Sequence, residues 1–346
     1  MRSQPVQQTS HQAGSYPGGV PLSAANEGLR CVSVSDANVL ANSLPEWQQE
    51  YLQISPGQFA GSVTEISVGV VQIFREVMNQ AVDQHGHTLP GKFALGIPIS
   101  LRGHGYWCGK ELDCIDSVFF LRPDSELKFK TPGYSDIYGA SVDVEAFRRY
   151  SLDDEFDDKS VIALTKEVSR LPPDKCAAFR RGFDSFFRAV EANPLILESA
   201  PARKQLAFDI MHLLLGMTAD LPVSKKSHAD QFVHRHVVDS ARSYILSRKS
   251  EALTVTDLCE GLRTSHRSLH YAFNKVLGIS PVTYLRYIRL NGVRAELILS
   301  DKSALISEVA ARWGFWHMGM FSVYYKNLFG ERPSETLKNF RTPASI

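Results

Sequence analysis

Residues 253–278 read LTVTDLCEGLRTSHRSLHYAFNKVLG, and residues 304–330 read ALISEVAARWGFWHMGMFSVYYKNLFG. In the first stretch Thr254 is placed to cap a helix, and Val255, Leu258 and Leu262 recur at spacings of three and four. Ser265 then caps a second helix whose inward stripe is Leu269, Ala272, Phe273 and Val276, and Gly278 stops it. The outward face begins at Ser265 and carries His266, Arg267, His270, Tyr271, Asn274 and Lys275, hydrogen-bonding and cationic groups with no carboxylate among them. A helix, a short turn and a second helix with a donor-rich outer face is the arrangement that lays a helix in a DNA major groove. Arg and Asn are the types able to bond guanine and adenine edges through two contacts each.

The second stretch repeats the plan. Ile306, Val309 and Ala310 turn inward, WGFWHMG makes the turn, and a second helix ends at Gly330. His317 and Met318 open this second reader, Gly319 and Met320 follow, and Ser322 and Lys326 lie further along, the lysine as a phosphate contact. Trp313, Phe315, Phe321 and Phe329 are expected in the core, fixing the angle between helices. Between the units runs PVTYLRYIRLNGVRAELIL, 281–299, with Ser280 as cap and Pro281 in the first turn. Such a helix spans about 28 Å, close to the ~34 Å between successive major-groove faces once the helix bodies are added. Gly292 is expected to soften it, and Arg289 and Arg294 to pair either with Glu296, Asp301 or Glu308 or with phosphate.

The charge balance agrees with this reading. From Lys225 onward there are 18 Lys+Arg against 10 Asp+Glu, a net +8, while residues 1–224 hold 20 against 27, a net −7. A basic back third behind an acidic front suggests a polyanionic partner. Hydrophobic residues at 44% and charged ones at 22% exclude a chain disordered throughout. No stretch reaches the ~18 apolar residues of a membrane span, and the start, MRSQPVQQTSHQAG, has no apolar core of a secretory signal. The cysteines, Cys31, Cys108, Cys114, Cys176 and Cys259, are odd in number and form no CxxC, which reads as reduced thiols of a cytoplasmic protein.

Towards the amino end the patterning changes. Residues 1–44 are rich in Gln, Ser, Gly and Pro and read as a mostly disordered tail, with a possible strand within Leu29 to Leu44. From Trp47 to Ser141, β-branched and aromatic runs such as SVTEISVGVVQIF and KFALGIPISL alternate with Gly/Pro turns, as in a barrel or sandwich of about eight strands. Helices follow over 142–150, 157–171, 175–192 and 203–217, with a solvated acidic loop at 153–158 before the second of them. The polar segment 221–230 marks a boundary between a domain at 45–222 and one at 226–346 that holds helix-turn-helix units at 254–278 and 304–330. The fold class is thus α+β, a cupin-like β-barrel domain with following helices, then an all-α domain.

His85 and His87 form an H-x-H without the nearby carboxylate a cupin metal site wants, and read as a polar surface turn. Trp107, Cys108, Phe93 and Phe119 are candidate linings of a pocket in the barrel, with plain core packing as the other reading. No GxSxG, P-loop, HExxH or GxGxxG occurs, so no enzyme is expected and no resident metal or cofactor.

The pieces LTVTDLC, SHRSLHYAFNKVLGISPVTYLRYIRL and VAARWGFWHMGMFSVYYKNLFGERPSETL resemble the AraC/XylS family of bacterial transcriptional regulators over about 110 residues. The front, with EWQQEYLQISPGQFAGSVTEI and VQIFREVMNQA, looks like that family's effector-binding and dimerisation domain, most like the ethanolamine-operon regulator branch. Met320 departs from the polar or basic residue that relatives commonly carry there. The resemblance implies a DNA-binding activator that meets RNA polymerase, dimerises through its front domain and responds to a small effector, ethanolamine with adenosylcobalamin as co-effector. Two other readings stay open on the residues alone. One is a ligand-independent repressor or architectural DNA binder, the other a cupin-type metalloenzyme with a basic tail.

Overall fold

The alternation of side chains along the front strands decides which faces are buried. In Lys92–Arg102, Phe93, Leu95 and Ile97 belong to one apolar cluster and Ala94 to another, because successive side chains leave a strand on opposite faces. Ser117–Leu121 divides the same way, Val118 and Phe120 to one side, Phe119 and Leu121 to the other. A sheet covered on both faces needs near-continuous apolar runs, which is why SVFFL and KFALGIPISL lack a polar face.

The structure is a computed structural model and describes residues 28–44, 46–153, 168–219, 229–248, 251, 253–300 and 304–340. Among these, twelve strands form two antiparallel sheets. The larger runs β1 (Gly28–Val34), β3 (Gly61–Val68), β4 (Val71–Met78), β11 (Tyr134–Asp143), β6 (Lys92–Arg102), β9 (Ser117–Leu121) and β12 (Val168–Arg170), in that order. The smaller runs β2 (Trp47–Gln53), β5 (Val82–Thr88), β10 (Leu127–Lys130), β7 (Gly105–Trp107) and β8 (Lys110–Leu112). Between the sheets lies a core of Trp47, Phe74, Trp107, Phe119 and Phe129 with their aliphatic neighbours. The outer face of the larger sheet is covered by α2 (Val144–Asp153), α3 (Pro173–Ala192) and α4 (Ala200–Ala219); Phe183 and Phe187 of α3 stack on Tyr138, and Phe179 joins the same apolar cluster.

Several expectations need correction. The tail does not extend to residue 44, because β1 pairs with β3 along its whole length and α1 (Ala37–Ala41) packs Leu40 into the intersheet core; residues 1–27 lie outside the described residues. Eight strands was too few, since β7 and β8 have three residues each, too short to show a period. The helix expected over 157–171 is a strand at its end, Val168 pairing with Phe119, and residues 154–167 lie outside the described residues, as does most of the acidic loop. So does most of the boundary expected at 221–230. A helix not anticipated, α5 (Ala229–Ser247), begins the carboxy-terminal domain, and its Val238, Ala241 and Ile245 join the first helix-turn-helix core.

The rest of that domain is α6 (Val255–Gly261), α7 (His266–Val276), α8 (Pro281–Leu299), α9 (Ile306–Arg312), α10 (Met318–Phe329) and α11 (Pro333–Asn339). The connecting helix α8 runs unbroken through Gly292. A Cβ at Gly292 would stand 2.3 Å from the Trp313 ring, so this glycine seats an indole and is no hinge. Leu290, Val293 and Leu297 of α8 hold the second unit, and Tyr284, Leu285 and Ile288 hold the first.

Candidate nucleic-acid interface

Local sequence positions both readers. Ser265 accepts the Ser268 backbone N–H at 3.1 Å, starting α7, and Thr254 and Asp257 form a reciprocal capping box at α6. Leu269, Ala272, Phe273 and Val276 are buried, which leaves Ser265, His266, Arg267, His270, Tyr271, Asn274 and Lys275 together on the exposed side. Exposed Ser268, not anticipated, joins them, and Tyr271 meets the His234 ring of α5 edge-on at 4.8 Å while remaining 56% exposed.

On α10, Phe321, Tyr325, Leu328 and Phe329 are buried and Gly330 ends the helix with φ 73°. His317, Gly319, Met320, Ser322 and Lys326 are exposed, and Met318 is half-buried, packed in part against the second core. Val323, on the same outer arc and half exposed, escaped the sequence reading because an isolated valine at a helix surface gives no polar signal. Phe321 and Phe329 are core as expected, whereas Trp313 and Phe315 are half-buried.

The connecting helix fixes the two readers relative to each other through polar contacts as well. The Arg286 guanidinium lies over the Tyr324 ring at 4.2 Å. Glu296 accepts from Arg312 and from Trp313 Nε1 at 2.9 Å, so it does not pair with Arg289 or Arg294. Arg289 donates to the Leu253 carbonyl at 2.7 Å. Arg294 is buried and joins Asp36 at 2.5 Å, Glu331 at 2.6 Å and the Ser35 carbonyl at 3.2 Å, which makes it an interdomain anchor and no phosphate contact.

The same domain junction carries further direct bonds. Asn291 Oδ1 accepts from the Gln53 N–H and its Nδ2 donates to the Gln53 carbonyl, both at 3.1 Å. Tyr284 donates to buried Asp83 at 2.8 Å, Arg242 meets Glu50 at 2.6 Å, and Lys128 meets Asp239 at 2.8 Å. His85 is therefore not on a surface turn: it is buried on β5, 3.1 Å from Asp83, while His87 is exposed on the same strand. Burial would raise the Asp83 carboxyl, but His85, Arg235 and Arg242 outweigh it and hold it well below the usual range. Among the described residues no group of three or more His, Cys, Asp or Glu stands together as a metal site.

Between the sheets, Trp47, Tyr51, Phe74, Glu76, Gln84, Trp107, Phe119 and Phe129 are among the residues lining a small cavity of about 30 Å³. Of the residues expected there, Trp107 and Phe119 are present. Phe93 faces the opposite side of β6, against Phe147, and Cys108 sits at the edge of the intersheet core without lining the space. Glu76 is the one carboxylate among the lining residues and accepts from Tyr51 at 2.7 Å. Burial pushes its carboxyl up to about 7, against the opposing pull of the Tyr51 and Gln84 hydrogen bonds.

The sign follows from the raised value. The folded chain retains this proton where the unfolded chain has lost it, so its stabilising contribution is full below about pH 4.3 and is lost as pH rises through about 7. Thermal melting of the native protein should therefore decline between pH 5 and pH 8 more than that of Glu76→Gln. Equal declines would mean that the carboxyl titrates normally.

A family model for a helix-turn-helix domain matches residues 258–339. The probable thc operon regulatory protein of Rhodococcus erythropolis is 36% identical over 103 residues, 30% of this chain and 31% of its own length. The XylDLEGF operon transcriptional activator of Pseudomonas putida is 39% identical over 89 residues, 25% of this chain and 27% of its own. The chain thus spans less than a third of these two curated relatives. Among solved structures, a probable AraC family transcriptional regulator from Rhodopseudomonas palustris is similar at 28% identity over 31% of this chain and 99% of its own, with a TM-score of 0.29. No helix among the described residues is long and apolar enough to cross a membrane. With both reader helices exposed on one connecting helix, the carboxy-terminal third of the chain is a helix-turn-helix domain, similar to part of these operon regulators.

Proposed function

We propose that the chain is a cytoplasmic transcription regulator, not an enzyme, that binds double-stranded DNA through both helix-turn-helix units and is switched by a small molecule in the intersheet cavity. The observation that carries this is the pair of exposed reader faces, α7 and α10, free of carboxylates and fixed on one continuous helix. A role as activator, working through RNA polymerase, is supported by the name of the Pseudomonas putida relative. Exposed Leu195 and Phe208 beside α3 and on α4 suit a homodimer seam on the sheet domain.

A physical route from cavity to DNA-binding domain runs along three strands. In β2, Gln49 and Tyr51 line the cavity while Glu50 and Gln53 bond the helical domain. In β5, Gln84 lines it and Asp83 holds Tyr284; in β10, Phe129 lines it and Lys128 holds Asp239. A ligand that shifts these strands shifts both faces, and it acts as a signal by favouring one domain arrangement in free energy. As it stands the space is only about 30 Å³, room for a water or two, so a ligand must part the lining side chains to enter, and that displacement reaches these three strands. The resemblance to the ethanolamine-operon branch makes ethanolamine the first compound to try. A corrinoid is far larger than this cavity, and no step is assigned to adenosylcobalamin.

Fragments of the source genome selected by the purified chain should yield a preferred site, and ethanolamine should change its affinity in a gel-shift titration. Selection of no preferred fragment would defeat the DNA-binding reading; an effector-blind site would favour a constitutive repressor. On the selected site, Arg267→Ala should cost about 1–3 kcal/mol and relax preference at one base pair. Lys326→Ala should instead weaken all sequences alike and flatten the salt dependence. Competition with single-base variants separates the two, and an unchanged preference profile in Arg267→Ala would remove that residue from the groove.

A further inference from the structure

The two readers differ in chemistry. The exposed arc of α7 is polar and cationic, whereas the exposed arc of α10 is Gly319, Met320, Ser322, Val323, Lys326 and Asn327. Ser322 turns its hydroxyl back to the Met318 carbonyl at 2.9 Å. What the amino-terminal half of α10 offers outward is therefore apolar, Met320 and Val323, each 50% exposed. Lys326 supplies the one charge on the helix, a turn further on.

Gly319 is the second observation. It is the second residue of α10 and lies at the middle of this arc. Its φ is not left-handed, and nothing lies within 4 Å of where a Cβ would stand. The fold itself gives no reason for a glycine here, in contrast to Gly292 under Trp313 and Gly182 under Leu213. A bare backbone at the centre of an exposed arc suits a surface outside the chain that approaches closely. On a reader helix, continuous with the interface described above and with a lysine one turn away, that surface is the DNA groove.

We propose that α10 reads thymine through its C5 methyl group, with Val323 and Met320 covering methyls in the major groove and Gly319 allowing the backbone to come close. The methyl is the apolar feature that distinguishes thymine in that groove, and apolar side chains are its complement. This rests on the DNA-binding reading and adds a division of labour: α7 reads by hydrogen bonds, α10 by apolar contact.

Replacing thymine by deoxyuridine removes the methyl and leaves base pairing intact. With the full-length chain and its selected site, deoxyuridine throughout one of the two protected elements should weaken binding by about fourfold per covered methyl. The double variant Met320→Ala, Val323→Ala should bind the thymine site more weakly and lose this discrimination, with its fold checked by circular dichroism. Gly319→Ala should melt no lower than the native chain yet bind about tenfold more weakly, from steric overlap at the groove. Deoxyuridine without effect in either element, or discrimination that survives in the double variant, overturns the proposal. Lost transcription at unchanged DNA affinity would assign this face to a protein partner and overturn it as well. A chain that selects no site defeats the DNA-binding reading beneath it, a result distinct from a selected site that ignores its methyls.

Discussion

Five base pairs inserted between the two protected elements should reduce affinity about 100-fold or more, to roughly that of one element, since base contacts contribute about 1–3 kcal/mol each. On uninterrupted DNA the elements should lie about 10–10.5 base pairs apart, on one face of the duplex. The insertion carries one element to the far side, and α8, at about 28 Å, does not reach around. Ten inserted base pairs restore the face but not the distance and should fail too. The structure sharpens this expectation, because the position that could have flexed, Gly292, is filled by Trp313 inside an unbroken helix. Arg286 over Tyr324 and Glu296 bound by Trp313 and Arg312 then fasten the second unit to that helix. Gel-shift titration against the three spacings makes the test, and a site that tolerates either insertion would show that the units bind independently.

Arg294→Ala should destabilise the full chain by about 3–5 kcal/mol, the cost of leaving buried carboxylates without their cation. Its side chain is 5% exposed between Asp36 of the sheet domain and Glu331 of the carboxy-terminal domain, with Phe329 beneath the guanidinium at 4.7 Å. Arg312→Ala is the control. That arginine also pairs with a carboxylate, Glu296, but is 55% exposed, and such pairs contribute roughly 0–1 kcal/mol. Urea unfolding of the two variants should separate them clearly. Equal small losses would mean that the Arg294 cluster does not join the domains energetically.

The helix-turn-helix units were legible in the sequence because their determinants are local. Caps at Thr254, Ser265 and Ser280, stops at Gly278 and Gly330, and inward stripes at spacings of three and four act within a few residues of where they are read. The outward faces followed by subtraction, and so did most of the candidate DNA contacts. The alternation of the front half likewise announced a sheet domain. What one strand contacts is another matter, because pairing joins residues far apart: β12 meets β9 about 50 residues away, and a three-residue strand has no period to read. Side-chain alternation fixes that Phe93 and Ala94 oppose each other, but only the packing of α2 and α3 says which of them faces helices and which faces the cavity. The same holds for Glu76, Asp83, Asp36 and Arg294. A charged residue in a sequence reads as solvated by default, and burial between domains is settled by the tertiary structure, which brings Asp36 to Arg294 across more than 250 residues.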